Sequence, residues 1–114
     1  MSPSNPETAS TLRIAHVQKT ESKGRARLRL VGHLDADGAP ALSEELQRLL
    51  EAGVNEVDVD LAGVPFVSSM GIGCIIAAVG DFQTAGGELA LTGLSSELRQ
   101  LLEMLDLLDY VKIR

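Results

Sequence analysis

The sequence predicts a single α/β domain, and three observations carry that expectation. Short stretches with every second residue apolar alternate with longer ones whose apolar residues recur at every third or fourth position, the periods of half-buried strands and amphipathic helices. Glycine, proline, serine and aspartate punctuate the changes of period. The chain has 114 residues, which suits one core of moderate size but not two.

Thr11 to Val17 and Ala26 to Val31 both alternate, the second setting Leu28 and Leu30 against Arg27 and Arg29, and the charged segment with Gly24 between them predicts a hairpin. The period then changes. Leu42, Leu46, Leu49 and Leu50 make one stripe, with Glu44, Glu45, Gln47, Arg48 and Glu51 opposite. A first helix is expected there, capped by Asp37, with Pro40 in its first turn and Gly53 at its end. Val54 to Leu61 alternates Val57, Val59 and Leu61 with acidic neighbours, and as it follows a helix it should pair parallel to an earlier strand. Gly63 to Val67 reads as a separate short, irregular strand, because Pro65 cannot donate to a ladder.

A second helix is expected from Ser68 or Ser69 to about Ala85, stopped by Gly86 and Gly87. Glu88 to Thr92 reads as a buried strand, and Ser95 as the cap of a third helix with Leu98, Leu101, Leu102 and Leu105 in one stripe. Asp109 to Ile113 closes the chain as an edge strand. Residues 1–10 are polar and rich in Pro and Ser without the pattern of a signal peptide, so a disordered lead-in is expected before a domain spanning residues 11–114.

Composition narrows the function classes. Apolar residues reach 45% while aromatics are 3% and Trp is absent, so the core is aliphatic and platforms for stacking bases or flat cofactors are not expected. A net charge of −6 argues against direct binding of nucleic acid, which needs a basic stripe to displace counterions. The one cysteine, Cys74, sits in an apolar run, so neither an intrachain disulfide nor a multi-cysteine metal site is expected, and a reducing cytoplasm is the expected location. Val64 to Val79 is the most apolar run, but it is short and broken by Pro65, the serines and glycines; membrane insertion is not expected.

The segment from Asp60 to Gly73, DLAGVPFVSSMGIG, places two hydroxyls where a strand hands over to a helix N-terminus, a position electrostatically suited to an anion. Ser68 and Ser69 admit two readings: a helix cap, or a site whose phosphorylation changes how a surface binds. On a helical wheel Ile72, Ile75, Ile76, Val79 and Phe82 gather on a core face. Opposite them lie Met70, Gly73, Cys74, Ala77, Asp81 and Thr84, a face mostly of small residues where a solvated helix would carry Lys, Glu and Gln. Gly73 and Gly80 each cost about 1 kcal/mol relative to Ala in a helix interior, and Gly71 near the first turn costs less, either for close packing or for a close-approaching partner.

Catalysis finds little support. His16 and His33 stand in or beside the hairpin with no triad context, VSSMGIG lacks the glycine two residues before the serine that a nucleophile elbow needs, and no Walker lysine, dinucleotide turn or metal-ligand cluster is present. No enzymatic activity, cofactor or metal is expected.

Three stretches, GHLDADGAPAL, VDVDLAGVPFVSSMGIG and GGELALTGLSSELRQLLEMLDL, together resemble the STAS domain of bacterial anti-sigma factor antagonists, also found in stressosome proteins and in the cytoplasmic tails of anion transporters. The resemblance spans residues 12 to 113. It implies a mixed sheet of four or five strands with helices packed mainly on one side. It also implies a cytoplasmic binding switch: an antagonist that binds a kinase-type anti-sigma factor, a serine kinase, when unphosphorylated, and loses that binding once the partner phosphorylates a serine. By the same resemblance the phosphoacceptor falls on Ser69, with Ser68 where the best-known antagonists carry Asp, Met70 where they carry Ser, and Gly71 as the turn glycine. The implied partner-binding surface comprises Asp35, Ser68, Ser69, Met70, Gly71, Gly73 and Ala77. The alternative is a subunit docking structurally on a lipid or solute transport complex through the same surface, and the partly exposed apolar helix also leaves a homodimer open.

Overall fold

A computed structural model describes residues 13–20 and 24–114, with side chains from Gly24 onward. The lead-in expected over residues 1–10 lies outside the described residues. The elements are β1 (Arg13–Thr20), β2 (Arg25–Leu34), α1 (Ala39–Glu51), β3 (Glu56–Val67), α2 (Ser69–Thr84), β4 (Glu88–Thr92), α3 (Ser96–Met104) and β5 (Lys112–Ile113). They form a five-stranded mixed sheet in the order β1-β2-β3-β4-β5. β1 pairs antiparallel with β2 as the expected hairpin, and the other three pairings are parallel.

This strand order explains where the helices lie. Each parallel step moves one strand further in the same direction, and right-handed crossovers that never reverse direction leave every helix on one face. A sheet without a reversal also lacks the crevice in which doubly wound folds bind cofactors. One aliphatic core results, joining Leu28 and Leu30 of β2, Val57, Val59 and Leu61 of β3, and Leu89 and Leu91 of β4 to the buried faces of all three helices. The opposite face of the sheet is charged. There Arg25, Arg27 and Arg29 pair with Glu56, Asp58 and Asp60 across the β2–β3 ladder, at 2.7, 3.9 and 3.6 Å.

Several boundaries differ from expectation. β3 runs unbroken to Val67, so Gly63–Val67 is not a separate strand. Pro65 is tolerated because β4 pairs only with Glu56–Asp60, which leaves the rest of β3 a free edge on that side, and two register irregularities against β2 absorb the bend. α1 is capped by Gly38 rather than Asp37, and Asp35 organises the turn instead, its Oδ1 accepting from the backbone N–H groups of Asp37 and Gly38 at 3.1 Å. α3 stops at Met104, so Leu105 leaves the apolar stripe and is half exposed. The last strand is two residues long, because Asp109 and Tyr110 still belong to the turn that follows α3.

Helix ends follow one device. After α1, Gly53 at φ +91° donates to the Leu50 carbonyl and Val54 to that of Leu49; after α2, Gly86 at φ +80° and Gly87 repeat the pattern on Gln83 and Phe82. α3 ends the same way with Asp106 at φ +60°, a left-handed position where aspartate is one of the few tolerated residues.

Candidate functional site

The junction of β3 and α2 separates the roles of the two serines. Ser68 is the N-cap: its Oγ accepts from the Gly71 N–H at 3.2 Å, and its own N–H donates to the Leu34 carbonyl at 2.9 Å, fastening α2 to the end of β2. Ser69 is the first residue of α2 and exposed, and among the described residues its hydroxyl makes no hydrogen bond within the chain. Capping therefore accounts for Ser68 and leaves Ser69 without a structural role. Ser68→Ala is expected to lower stability by about 1 kcal/mol while Ser69→Ala changes it by less than about 0.5 kcal/mol, a difference that urea unfolding of the two variants resolves.

The glycines of α2 divide in the same way. Gly71 is buried, and a β-carbon there would overlap the Leu34 carbonyl oxygen and lie 2.8 Å from Leu34 Cγ. It lets the helix start sit directly on the end of β2, so it shapes the surface from beneath. Gly73 is exposed, and nothing lies within 4 Å of a β-carbon built on it. The fold gives no reason for a glycine there, although a glycine in that helical position costs about 1 kcal/mol relative to alanine.

Gly73 opens onto a groove of about 400 Å³ between α1 and α2. Ser69, Met70, Gly73, Ala77 and Asp81 form the α2 wall; Ala36, Pro40, Ser43 and Gln47 form the other; Ala39, Leu46, Cys74, Ala78 and Phe82 make an apolar floor. At the end far from Ser69, Gln47 Nε2 donates to Asp81 Oδ2 at 3.1 Å and bridges the two helices. Met70, 61% exposed, stands at the near end beside Ser69. The Cys74 thiol is half-buried with Sγ 3.5 Å from the Ala39 carbonyl, and burial pushes its pKa up, so it packs as an apolar side chain and is a poor nucleophile.

Four of the expected surface residues, Ser69, Met70, Gly73 and Ala77, thus line one groove. Ser68 supports them as the cap, Gly71 lies below them, and half-buried Asp35 holds the β2–α1 turn rather than the groove wall. The α1 wall escaped sequence reasoning, because Pro40, Ser43 and Gln47 look like any solvated helix face until α2 is set beside them. Outside the groove, Phe66 is half exposed at the end of β3 and stacks edge-on against His33 with ring centroids 5.8 Å apart. Among the described residues no three His, Cys, Asp or Glu side chains are placed to hold a metal, and no helix is long and apolar enough to cross a membrane.

A family model described as "Mlab, STAS domain" matches residues 17–112. The chain is a STAS domain. The anti-sigma-B factor antagonist of Listeria monocytogenes is 31% identical over 85 residues, covering 75% of each chain. Among solved structures, this STAS domain is similar to an anti-sigma factor antagonist from Mycobacterium paratuberculosis, with a TM-score of 0.77 at 17% identity over 91% of this chain and 86% of that one. It is also similar to the Bacillus cell fate determinant SpoIIAA in its phosphorylated form, with a TM-score of 0.67 at 16% identity over 87% of this chain and 91% of that one. At such identities these two structures establish the STAS fold alone. The relatives are named for antagonising another protein, a binding role and not an enzymatic one.

Proposed function

We propose that this STAS domain is a cytoplasmic anti-sigma factor antagonist that binds an anti-sigma factor serine kinase through the α1–α2 groove, and that phosphorylation of Ser69 switches the binding off. The observation that carries the reading is the pairing of Ser69 with Gly73: an exposed hydroxyl with no hydrogen-bond partner among the described residues stands one turn from a helix glycine with open space above it. A partner seated against Gly73 and Ala77 would cover Ser69, so one surface can serve first as binding site and then as substrate.

The switch follows from charge and bulk. A phosphate on Ser69 carries a charge of about −1.5 to −2 at neutral pH and sits on the first turn of α2, where the exposed N-terminal N–H groups and helix dipole favour an anion. The fold is therefore expected to survive modification. The partner interface is not, because a group that needs hydration would be placed at the rim of an apolar groove.

Incubation with the anti-sigma serine kinase and ATP is expected to add one phosphate, located at Ser69 by fragmentation and absent in Ser69→Ala. An unmodified chain, or a phosphate elsewhere, would sink the switch. The same groove also admits a second reading, a subunit docking on a lipid or solute transport complex without phosphorylation. Under that reading Ser69 stays unmodified.

A further inference from the structure

Resting on the reading that the groove is the partner site, we propose that its occupant is an amphipathic helix of the partner, with an aliphatic stripe against Gly73 and Ala77 and a lysine or arginine over Asp81. Shape is the first reason. Ser69, Gly73, Ala77 and Asp81 recur every fourth residue and form one row along α2, whose two central members project at most a methyl group. Set beside the wall from α1, that row is a channel about 18 Å long, the rise of some twelve helical residues. A ridge of side chains on another helix fits such a channel.

Backbone chemistry excludes an extended peptide. A strand laid in the groove would bring unpaired N–H and C=O groups onto a floor of Ala39, Leu46, Cys74, Ala78 and Phe82, which offers no free strand edge to pair with them. A helix satisfies its own backbone.

Charge sets the chemistry of the occupant. Between Asp35 and Asp109 the residues outside the strands include ten carboxylates and only two permanent cations, Arg48 and Arg99. On the opposite side the open sheet face is nearly balanced by its ladder of ion pairs. Arg48 is already paired with Glu45. Asp81 has no ion pair among the described residues, and its one hydrogen-bond donor is the neutral Gln47 amide. The helical side therefore attracts a basic partner and repels both a second copy of itself and an anionic membrane.

The test is a selection on the full chain from two displayed pools of equal size, one of amphipathic helices with randomised stripe and ends, the other of unconstrained peptides. Binders are expected from the helical pool, with Lys or Arg at one end. They should lose at least about tenfold in affinity on Ala77→Leu, and on Asp81→Lys should lose about tenfold while their Glu-ended counterparts gain. Thermal melts of both variants confirm that they are folded. Binders that are extended, acidic or indifferent to Ala77→Leu, or no binders at all, overturn the helix. Groove-dependent basic helices together with a kinase affinity unmoved by Ser69→Asp would overturn the switch alone, so the two readings fail separately.

Discussion

Gly87→Ala is expected to destabilise the domain by about 3 kcal/mol, a drop of roughly 15 °C in melting temperature for a chain of this size. Gly87 follows the left-handed Gly86 at the end of α2, and its N–H closes the helix on the Phe82 carbonyl at 2.8 Å. A methyl group there would overlap the carbonyl oxygen of Asn55 and lie 2.7 Å from its carbon. That oxygen accepts from the Glu88 N–H at 2.8 Å, the contact that starts β4 alongside β3. Relief of the overlap must move backbone on one side or the other, because no flexible side-chain end is available to give way. Gly53→Ala provides the scale: its site is open but its φ is +91°, so conformational strain alone applies and about 1 kcal/mol is expected. Equilibrium urea unfolding separates the two, and equal midpoints would contradict the overlap.

Gly73 is expected to behave in the opposite sense. With nothing within 4 Å of its β-carbon position, Gly73→Ala should stabilise the domain by about 1 kcal/mol, raising the melting temperature by roughly 5 °C. Gly73→Leu should remain folded, since its side chain projects into the groove and not into the core. The same leucine fills the space a partner needs, and affinity for the anti-sigma kinase is expected to fall by at least about tenfold. A position where alanine stabilises the fold and leucine removes binding is the mark of a residue kept for function at some expense to the fold. A Gly73→Leu variant that binds as tightly as the wild type would show that the groove is not the interface.

Much of this was legible in the sequence because each signal was local. The strand alternation at Val57, Val59 and Leu61, the serine before α2 and the glycines after it each act within a few residues. The unbroken course of β3 was not legible, because whether Pro65 interrupts a strand depends on what lies on its far side, and β4 ends too early to meet it. Gly71 and Gly73 have the same local signal and opposite reasons. Only the position of Leu34, more than thirty residues away in the chain, distinguishes the glycine that packs from the one that is open. The α1 wall of the groove was invisible for the same cause, since a groove between two helices belongs to neither sequence. Asp35 carried a resemblance to a binding residue, and the turn it holds became apparent only from its bonds to Asp37 and Gly38.

The central claim is that Ser69 switches what this surface binds. Titration calorimetry of the anti-sigma serine kinase against the wild-type chain, the chain phosphorylated at Ser69 and Ser69→Asp tests it most directly. Binding to the unmodified chain, weakened by at least about tenfold by the phosphate and in the same direction by the aspartate, is the expected result. Equal affinity for all three would contradict it.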